Sequence, residues 1–452
     1  MKQTLKNLWS QRAQNVWLFA ELVVVCFVAW TQIDPIVVRL FYQNQPTGFD
    51  IDRLVVAEAR LYKVMGENIY DHIGEEYYEQ RREQFTREMK QLKQHLLELD
   101  EVAYVSFLDG IKGYPRMNKH YWSISLPNDT IHIDVPWCFF DIEEDFFETF
   151  GIQPVPGSPS QHELSMNSGG GQNVIITRSL AERIYGSPEA AMGKTLDPGI
   201  TYIDGAGNKN LMIYTIIGVV EDVSTLSGEY STWMAFCPNG RFDNYHSEAR
   251  LVIRLKPGVN MKRFVEEQTY HMGELTSEHF VICSFVPYVD ASKNMDSFDV
   301  PDFNAQSDYD FNLSVATAIF FLVNLCLGVI GTFWMQTKRR TEESGIMRAF
   351  GATRGRVLLL FLAEGWVLTT LSMFITCVLY LNYVKMGLGA LCIPPHAPDA
   401  QPDPTWVADK PLHFCLIAGI VYLVIMTVVS IGILIPSWNI CRMKPAEALR
   451  DE

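Results

Sequence analysis

Residues 336–357 read Gln336-Thr-Lys-Arg-Arg-Thr-Glu-Glu-Ser-Gly-Ile-Met-Arg-Ala-Phe-Gly-Ala-Thr-Arg-Gly-Arg-Val357. The stretch is short, basic and helix-compatible, and a long apolar run flanks it on each side. Phe311 to Thr337 holds no charged residue, and Val357 to Val384 holds only Glu364. Each run is long enough to cross a bilayer as a helix, which takes about 20 apolar residues. Lys338, Arg339, Arg340, Arg348, Arg354 and Arg356 stand against Glu342 and Glu343. Such an excess of cations between two spans marks a cytoplasmic connector. A structured connector of this kind is where a partner on that side can grip a membrane domain.

Two further apolar runs lie outward from it. Val16 to Ile33 is interrupted by Glu21, which is read as sitting near the inner interface or facing other helices. Ala29-Trp-Thr-Gln-Ile-Asp34 is a poor cleavage site, so this run is expected to be an uncleaved membrane helix. Met1 to Asn15 sets Lys2, Lys6 and Arg12 among Leu5, Leu8 and Trp9, the pattern of an amphipathic helix on the inner face. Pro411 to Cys441 has no Asp, Glu, Lys or Arg, and Pro436 is expected to end its helix. Arg442, Lys444 and Arg450 make the tail basic, whereas the Pro-rich outer loop has only Lys385 and Lys410 against three aspartates. All four spans then agree on one orientation, with both termini cytoplasmic.

The intervening segment is acidic and mixed. Strands are expected at Val102 to Leu108, Ser123 to Leu126, Thr130 to Val135, Asn173 to Ile176, Tyr214 to Val220 and Arg250 to Leu255. Helices are expected at Glu79 to Leu99, Asp145 to Phe150, Ser179 to Tyr185 and Met261 to Gln268. The fold class is therefore α+β: four transmembrane helices with a large mixed α/β extracytoplasmic domain inserted between helices 1 and 2. The divisions are residues 1–40 (amphipathic segment and first helix), 41–310 (extracytoplasmic domain) and 311–452. The last part holds helices at about 311–335, 357–383 and 412–435, a coupling segment at 336–356 and an outer loop at 384–411.

The net charge of −15 argues against a nucleic-acid role, which needs a basic surface. Cys26, Cys326, Cys377 and Cys415 fall in apolar runs. Cys138, Cys237, Cys283 and Cys392 lie outside the cytoplasm, where disulfides are allowed, and their pairing is open. No metal spacing appears among them. Gly193-Lys-Thr195 resembles the end of a phosphate loop, but Pro188 stands where the first glycine belongs. His132 and Asp134 share a strand face, which fits a base and its orienter but more often a plain polar face. The acids between Asp141 and Asp145 are those of a cation site or of a helix start. No catalytic constellation emerges, and neither a cofactor nor a metal is expected.

Several of these stretches resemble one family. Glu343-Ser-Gly-Ile-Met-Arg-Ala-Phe-Gly-Ala352 is similar to the Glu-Ile-Gly-Ile-Arg-Lys-Ala-Leu-Gly-Ala motif of the MacB/FtsX-type, or type VII, ABC transporter permeases. Ser344 replaces an apolar residue, and the arginine falls one place late. Lys444-Pro-Ala-Glu-Ala-Leu-Arg450 resembles the family's terminal motif. Asp145-Phe-Phe-Glu-Thr-Phe-Gly-Ile152, Val174 to Ala181, Ile184-Tyr-Gly186, Gly193 to Thr195 and Tyr214 to Asp222 resemble its periplasmic core domain. The resemblance implies an inner-membrane permease subunit that is not itself an enzyme. A separate cytoplasmic ABC ATPase dimer would drive it, with a second permease copy or a paralogue beside it and the lipid bilayer around it. A periplasmic adaptor is a further partner it allows. It implies ATPase coupling through Glu343, Gly345, Ile346, Arg348, Ala349, Gly351 and Ala352, with the two glycines allowing close packing. The C-terminal motif is Pro445, Glu447, Ala448 and Leu449. Function would be mechanotransmission, for efflux or for lipoprotein or peptide handling. The alternative is a membrane-anchored regulator whose outer domain controls a partner such as a cell-wall hydrolase, without export.

Overall fold

The computed structural model describes residues 12–61, 75–108, 121–125, 132–142, 144–166, 172–203, 209–224, 232–240, 248–276, 280–288, most of 313–335, 341–387 and 401–442. In chain order the elements are α1 (Arg12–Gln43), β1 (Leu54–Leu61), α2 (Glu75–Leu97), β2 (Val102–Leu108), β3 (Tyr121–Ser125), β4 (His132–Asp141), α3 (Phe146–Phe150), α4 (Gln161–Met166) and β5 (Asn173–Thr177). Then follow α5 (Arg178–Tyr185), α6 (Pro188–Ala191), β6 (Thr195–Leu196), β7 (Thr201–Ile203), β8 (Lys209–Leu211), β9 (Tyr214–Val220), β10 (Ala235–Gly240), β11 (Glu248–Leu255), α7 (Met261–Leu275) and β12 (Phe280–Pro287). The last are α8 (Thr341–Ala349), α9 (Arg354–Lys385) and α10 (Lys410–Arg442). Two compact units result: residues 1–40, 309–394 and 403–452 form one, and residues 41–308 with 395–402 form the other.

The first unit is helical. Among the described residues, three helices are long and apolar enough to span a membrane, at Val16–Tyr42, Arg354–Lys385 and Lys410–Trp438. The fourth expected span, about 311–335, falls on a partly described helical stretch. Leu18, Leu22, Val25, Ala29, Trp30 and Ile33 form one buried stripe on α1, and Ile417, Val421, Ile425, Val429 and Ile433 form another on α10. These recur at the helical period and meet Val357, Phe361, Leu368, Met373 and Tyr380 of α9. Buried hydroxyls tie the helices: Ser372 Oγ donates to the Phe19 carbonyl at 3.4 Å and Thr376 Oγ1 to that of Val23 at 3.3 Å. Gly432 permits a close approach, since a Cβ there would lie 3.1 Å from Ile330 Cα. Pro436 does not end α10, which runs on to Arg442, and α1 likewise continues through Pro35. One lost backbone donor is tolerated where neighbouring helices hold the remaining turns in register.

The second unit holds a four-stranded antiparallel sheet, ordered β12-β1-β11-β2, and a six-stranded mixed sheet, ordered β3-β4-β10-β5-β9-β6. In the mixed sheet β4/β10 and β5/β9 are the parallel pairs. Leu54, Val56, Leu108 and Val252 of the first sheet share a core with Cys138, Phe140, Ile175 and Phe236 of the second, and the α3 rings of Phe146, Phe147 and Phe150 fill it. The opposite face of the antiparallel sheet, with Val55, Ala57, Phe107 and Leu251, is covered by Phe85, Met89, Leu92 and Leu96 of α2 and Phe264 of α7. The outer face of the mixed sheet packs on Leu180 and Ala181 of α5. Lys93 on α2 forms a buried ion pair with Glu144, whose second neighbour is the Phe107 N–H at 3.4 Å. Burial pushes the Glu144 carboxyl up, and Lys93 pulls it back only in part. Gly48 has φ +77°, and a Cβ there would stand 1.9 Å from the Asp222 carbonyl oxygen. The Ser224 N–H donates to the Thr47 carbonyl beside it at 3.0 Å, so this entry segment lies against residues 222–224.

Candidate functional site

The connector folds as a helix, a cap and a second helix. The described part of α8 presents Gly345 as buried, Met347 and Arg348 as half-buried, and Ile346 and Ala349 as exposed. Met347 and Ala352 pack against the apolar core of the bundle, so α8 is seated on it rather than swinging free. Its C-terminus closes with two backbone bonds: Ala352 N–H to the Met347 carbonyl at 3.0 Å and Gly351 N–H to the Arg348 carbonyl at 3.0 Å. This is the Schellman pattern, which needs a left-handed residue after the cap. Gly351 supplies it with φ +91°. No described atom lies within 4 Å of the site its Cβ would take, so the demand at Gly351 is conformational and does not come from close packing within the chain.

Thr353 then caps α9 in an extended conformation and accepts the Val357 N–H at 3.2 Å. Arg354 and Arg356 occupy the first turn of α9, which has no acid. Cations are disfavoured at a helix N-terminus, so the helix dipole does not account for their placement. Phe350 is 89% exposed and Ile346 is 48% exposed, four residues apart on one edge. Among the described residues Phe350 is left largely uncovered, as an exposed apolar contact point is.

Gly345, Ile346, Arg348, Ala349, Gly351 and Ala352 thus come together in one capped segment. Of Glu343 only the helical backbone is described. Pro445, Glu447, Ala448 and Leu449 lie outside the described residues, as does the segment before Arg12 and Cys392. Phe350 was not among the expected coupling residues. The available signal was a large apolar residue immediately before the capping glycine of a basic connector.

The remaining candidate stretches carry ordinary structural contacts. Ser125 Oγ lies 3.2 Å from His132 Nδ1, and Ser123 donates to Asp134. His132 and Asp134 are each matched to a serine across the β3/β4 ladder, which makes a polar strand face. The Gly193 N–H goes to the Ile216 carbonyl at 2.8 Å and the Lys194 N–H to that of Ala191 at 3.1 Å, so neither amide is free to cradle a phosphate. The acids after Asp141 are dispersed: Glu144 pairs with Lys93, while Asp145 converges with Glu148 and His162. Ligand atoms of Asp145, Glu148 and His162 lie within 4.8 Å of one another, a spacing that could hold a cation. Glu148 is already engaged there, accepting from Ser165 Oγ at 2.6 Å and lying 3.3 Å from His162 Nδ1. Cys237 is buried, and burial pushes its thiol up to about 12, which makes it unreactive.

The MacB-like periplasmic core domain family matches residues 69–269, and the FtsX-like permease C-terminal family matches residues 315–445. Two solved structures show partial likeness. One is a domain of a permease protein from Porphyromonas gingivalis, 17% identical with a TM-score of 0.28, covering 53% of this chain and 94% of that one. The other is the periplasmic region of MacB from Actinobacillus actinomycetemcomitans, 12% identical with a TM-score of 0.27, covering 56% and 96%. No curated protein matches the sequence. The two family matches follow one another across well over half of the chain, the first over the sheet-rich domain and the second over the helices that carry the basic connector. The chain belongs to the MacB/FtsX-type permeases, as the permease component of an ABC-type system and a multi-pass inner-membrane protein with a periplasmic domain.

Proposed function

We propose that this permease is a lever: a separate cytoplasmic ATPase dimer moves α8, and the helices relay that motion to the periplasmic domain. Permeases of this type partner with a cytoplasmic ABC ATPase. In this reading both termini and residues 336–356 are cytoplasmic, and 41–310 is the working domain outside. Cargo is not carried between the helices. A second permease copy or a paralogue completes the assembly, for efflux or for the handling of lipoproteins or peptides.

The observation that carries the reading is the exposed Ile346/Phe350 edge on a capped helix seated against the bundle. Burying a side chain of either kind contributes about 1.5–3 kcal/mol. A rigid helix with an apolar edge and a basic flank is a fitting handle for a partner groove. The test is co-purification of the full-length chain with its ATPase in mild detergent, with ATPase stimulation measured alongside. Phe350→Asp and Arg348→Glu should each reduce recovery and stimulation by tenfold or more, an effect of about 1.4 kcal/mol. Unchanged recovery with unchanged stimulation in both variants would remove the docking role.

A further inference from the structure

At the end of the helical unit remote from α8, three polar side chains meet in an apolar setting. Tyr380 lies near the far end of α9, roughly 39 Å from Arg354 at 1.5 Å per residue. Asp34 of α1 is 0% exposed, Tyr380 0% and His413 of α10 1%. Tyr380 Oη donates to Asp34 Oδ2 at 2.6 Å, and His413 Nε2 lies 2.7 Å from Asp34 Oδ1. His413 Nδ1 lies 2.9 Å from the Val407 carbonyl oxygen. Trp30 stacks on Tyr380 at 4.4 Å, and Trp406 meets the His413 ring edge-on at 5.1 Å.

This geometry fixes a proton count. A carbonyl only accepts, so Nδ1 carries a hydrogen. A neutral imidazole has no second one to give, yet Nε2 faces a carboxylate oxygen. A hydrogen bond at each ring nitrogen therefore requires one additional proton between Nε2 and Oδ1, whichever atom holds it. Without that proton a lone pair faces a carboxylate inside an apolar shell, where an unmatched contact is costly. Among the described residues, the other titratable groups on these elements near the cluster are Arg39 on α1, Tyr383 and Lys385 on α9, and Asp409 and Lys410 before and at the start of α10. All of these are half-buried or exposed. Cys377 and Cys415 follow one turn or less away on α9 and α10.

We propose that Asp34, Tyr380 and His413 form a proton-binding clasp that holds these ends of α1, α9 and α10 together and lets them part when the proton leaves. The proton departs to water or buffer, and no other bond changes. An opened cluster exposes an ordinary aspartate and histidine, so above about pH 7 opening releases one proton, and the closed-to-open ratio falls about tenfold per pH unit. Below about pH 6 the exposed histidine is itself protonated, and the ratio levels off. Asp34→Asn is the informative variant: its amide oxygen can accept from Tyr380 while its NH2 donates to a neutral His413, so every contact is matched without the extra proton. In the orientation proposed above the clasp faces the periplasm; its chemistry does not depend on that orientation.

The test uses the full-length chain in detergent micelles from pH 6 to 9, labelled with N-ethylmaleimide and quantified by site with mass spectrometry. Cys26, buried on α1 in the core shared with α9, reports opening, and exposed Cys415 corrects for thiol chemistry. The Cys26-to-Cys415 labelling ratio should rise about tenfold per pH unit above pH 7 in the wild type and stay low and flat in Asp34→Asn. A flat wild-type profile, or the wild-type slope retained in Asp34→Asn, overturns the proposal. If Asp34→Asn fails to fold, Tyr380→Phe decides: it keeps the shared proton and must keep the slope, and a flat profile overturns the clasp.

Discussion

Gly351→Ala isolates the mechanical contribution of the α8 cap. An added Cβ meets no described atom within 4 Å, so the substitution introduces no clash within the chain. What it introduces is a side chain at φ +91°, which costs an L-residue about 1–2 kcal/mol. That energy bears on the two closing bonds, from the Gly351 and Ala352 N–H groups to the carbonyls of Arg348 and Met347. Local opening of this turn should become about 5- to 30-fold more frequent, from RT near 0.6 kcal/mol. Hydrogen exchange of the amides at 351 and 352, followed by mass spectrometry on the intact chain in micelles, reads this directly. Exchange in Gly351→Ala should accelerate by that factor while α9 and α10 keep their rates, and Gly351→Asn, which enters the left-handed region more easily, should fall between. An unchanged exchange rate in Gly351→Ala would refute the reasoning, because the cap would then not hold the turn. If α8 is the handle, ATPase stimulation should fall in the same order, Gly then Asn then Ala.

Three further outcomes follow from particular contacts. Gly48→Ala should lower the stability of the sheet-rich domain by roughly 2–4 kcal/mol, because its Cβ would overlap the Asp222 carbonyl, whereas Gly157→Ala, at φ +89° in open space, should cost only about 1–2 kcal/mol; thermal unfolding compares them. Lys93→Met should destabilise by about 3–5 kcal/mol by stranding Glu144, and Lys93→Met with Glu144→Met should recover most of the loss in a double-mutant cycle. Gly432→Leu should drive α10 away from Ile330 and lower the melting temperature of the chain in detergent, an overpacking effect of about 1–3 kcal/mol, while Gly419→Leu, whose Cβ meets no described atom, should not.

The helices were legible because their signals are local. Phe85, Met89, Leu92 and Leu96 recur at the helical period, and all four are buried in α2. Strands Val102–Leu108 and Tyr214–Val220 fall where the β-branched runs place them. Others were illegible for physical reasons. In β1, Leu54 and Val56 face one core and Val55 and Ala57 another, so no polar alternation exists to be read. β10 carries Pro238, which argues against a strand, and the ladder tolerates it at a register shift between Pro238 and Gly240. In the connector, the motif located the segment but not the division of labour. Phe350 looked like one more apolar residue, and Gly351 looked like a packing glycine until its φ was known. Asp34 ended the apolar run in sequence and reads as a boundary. Only the folded bundle brings it to Tyr380 and His413, from three separate helices.

The placement of polar groups in the helical unit bears on how such a unit could work. A conducting path would need ionisable side chains lining a wet passage. Here Asp34 and His413 are matched to each other behind Trp30 and Trp406, and Ser372 and Thr376 are spent on carbonyls of α1. Glu21 accepts from Thr332 Oγ1 at 3.3 Å through one oxygen, which ties α1 to the helical stretch before the connector, while its other oxygen is buried without a partner among the described residues. These described groups join helices rather than line a passage, and each tie resists sliding of one helix along another. A bundle tied in this way would move more readily as a body than by internal shear, which is what the proposed lever requires. Coupling energies of about 1–3 kcal/mol suffice to bias a two-state element. The difference between an occupied and an empty proton site at the clasp is of that size within two pH units. Motion applied at α8 and release at the opposite end would then be separable controls on the same bundle. Asp34→Asn should therefore change the pH profile of ATPase-driven work while leaving ATPase recovery intact, and Phe350→Asp should do the reverse.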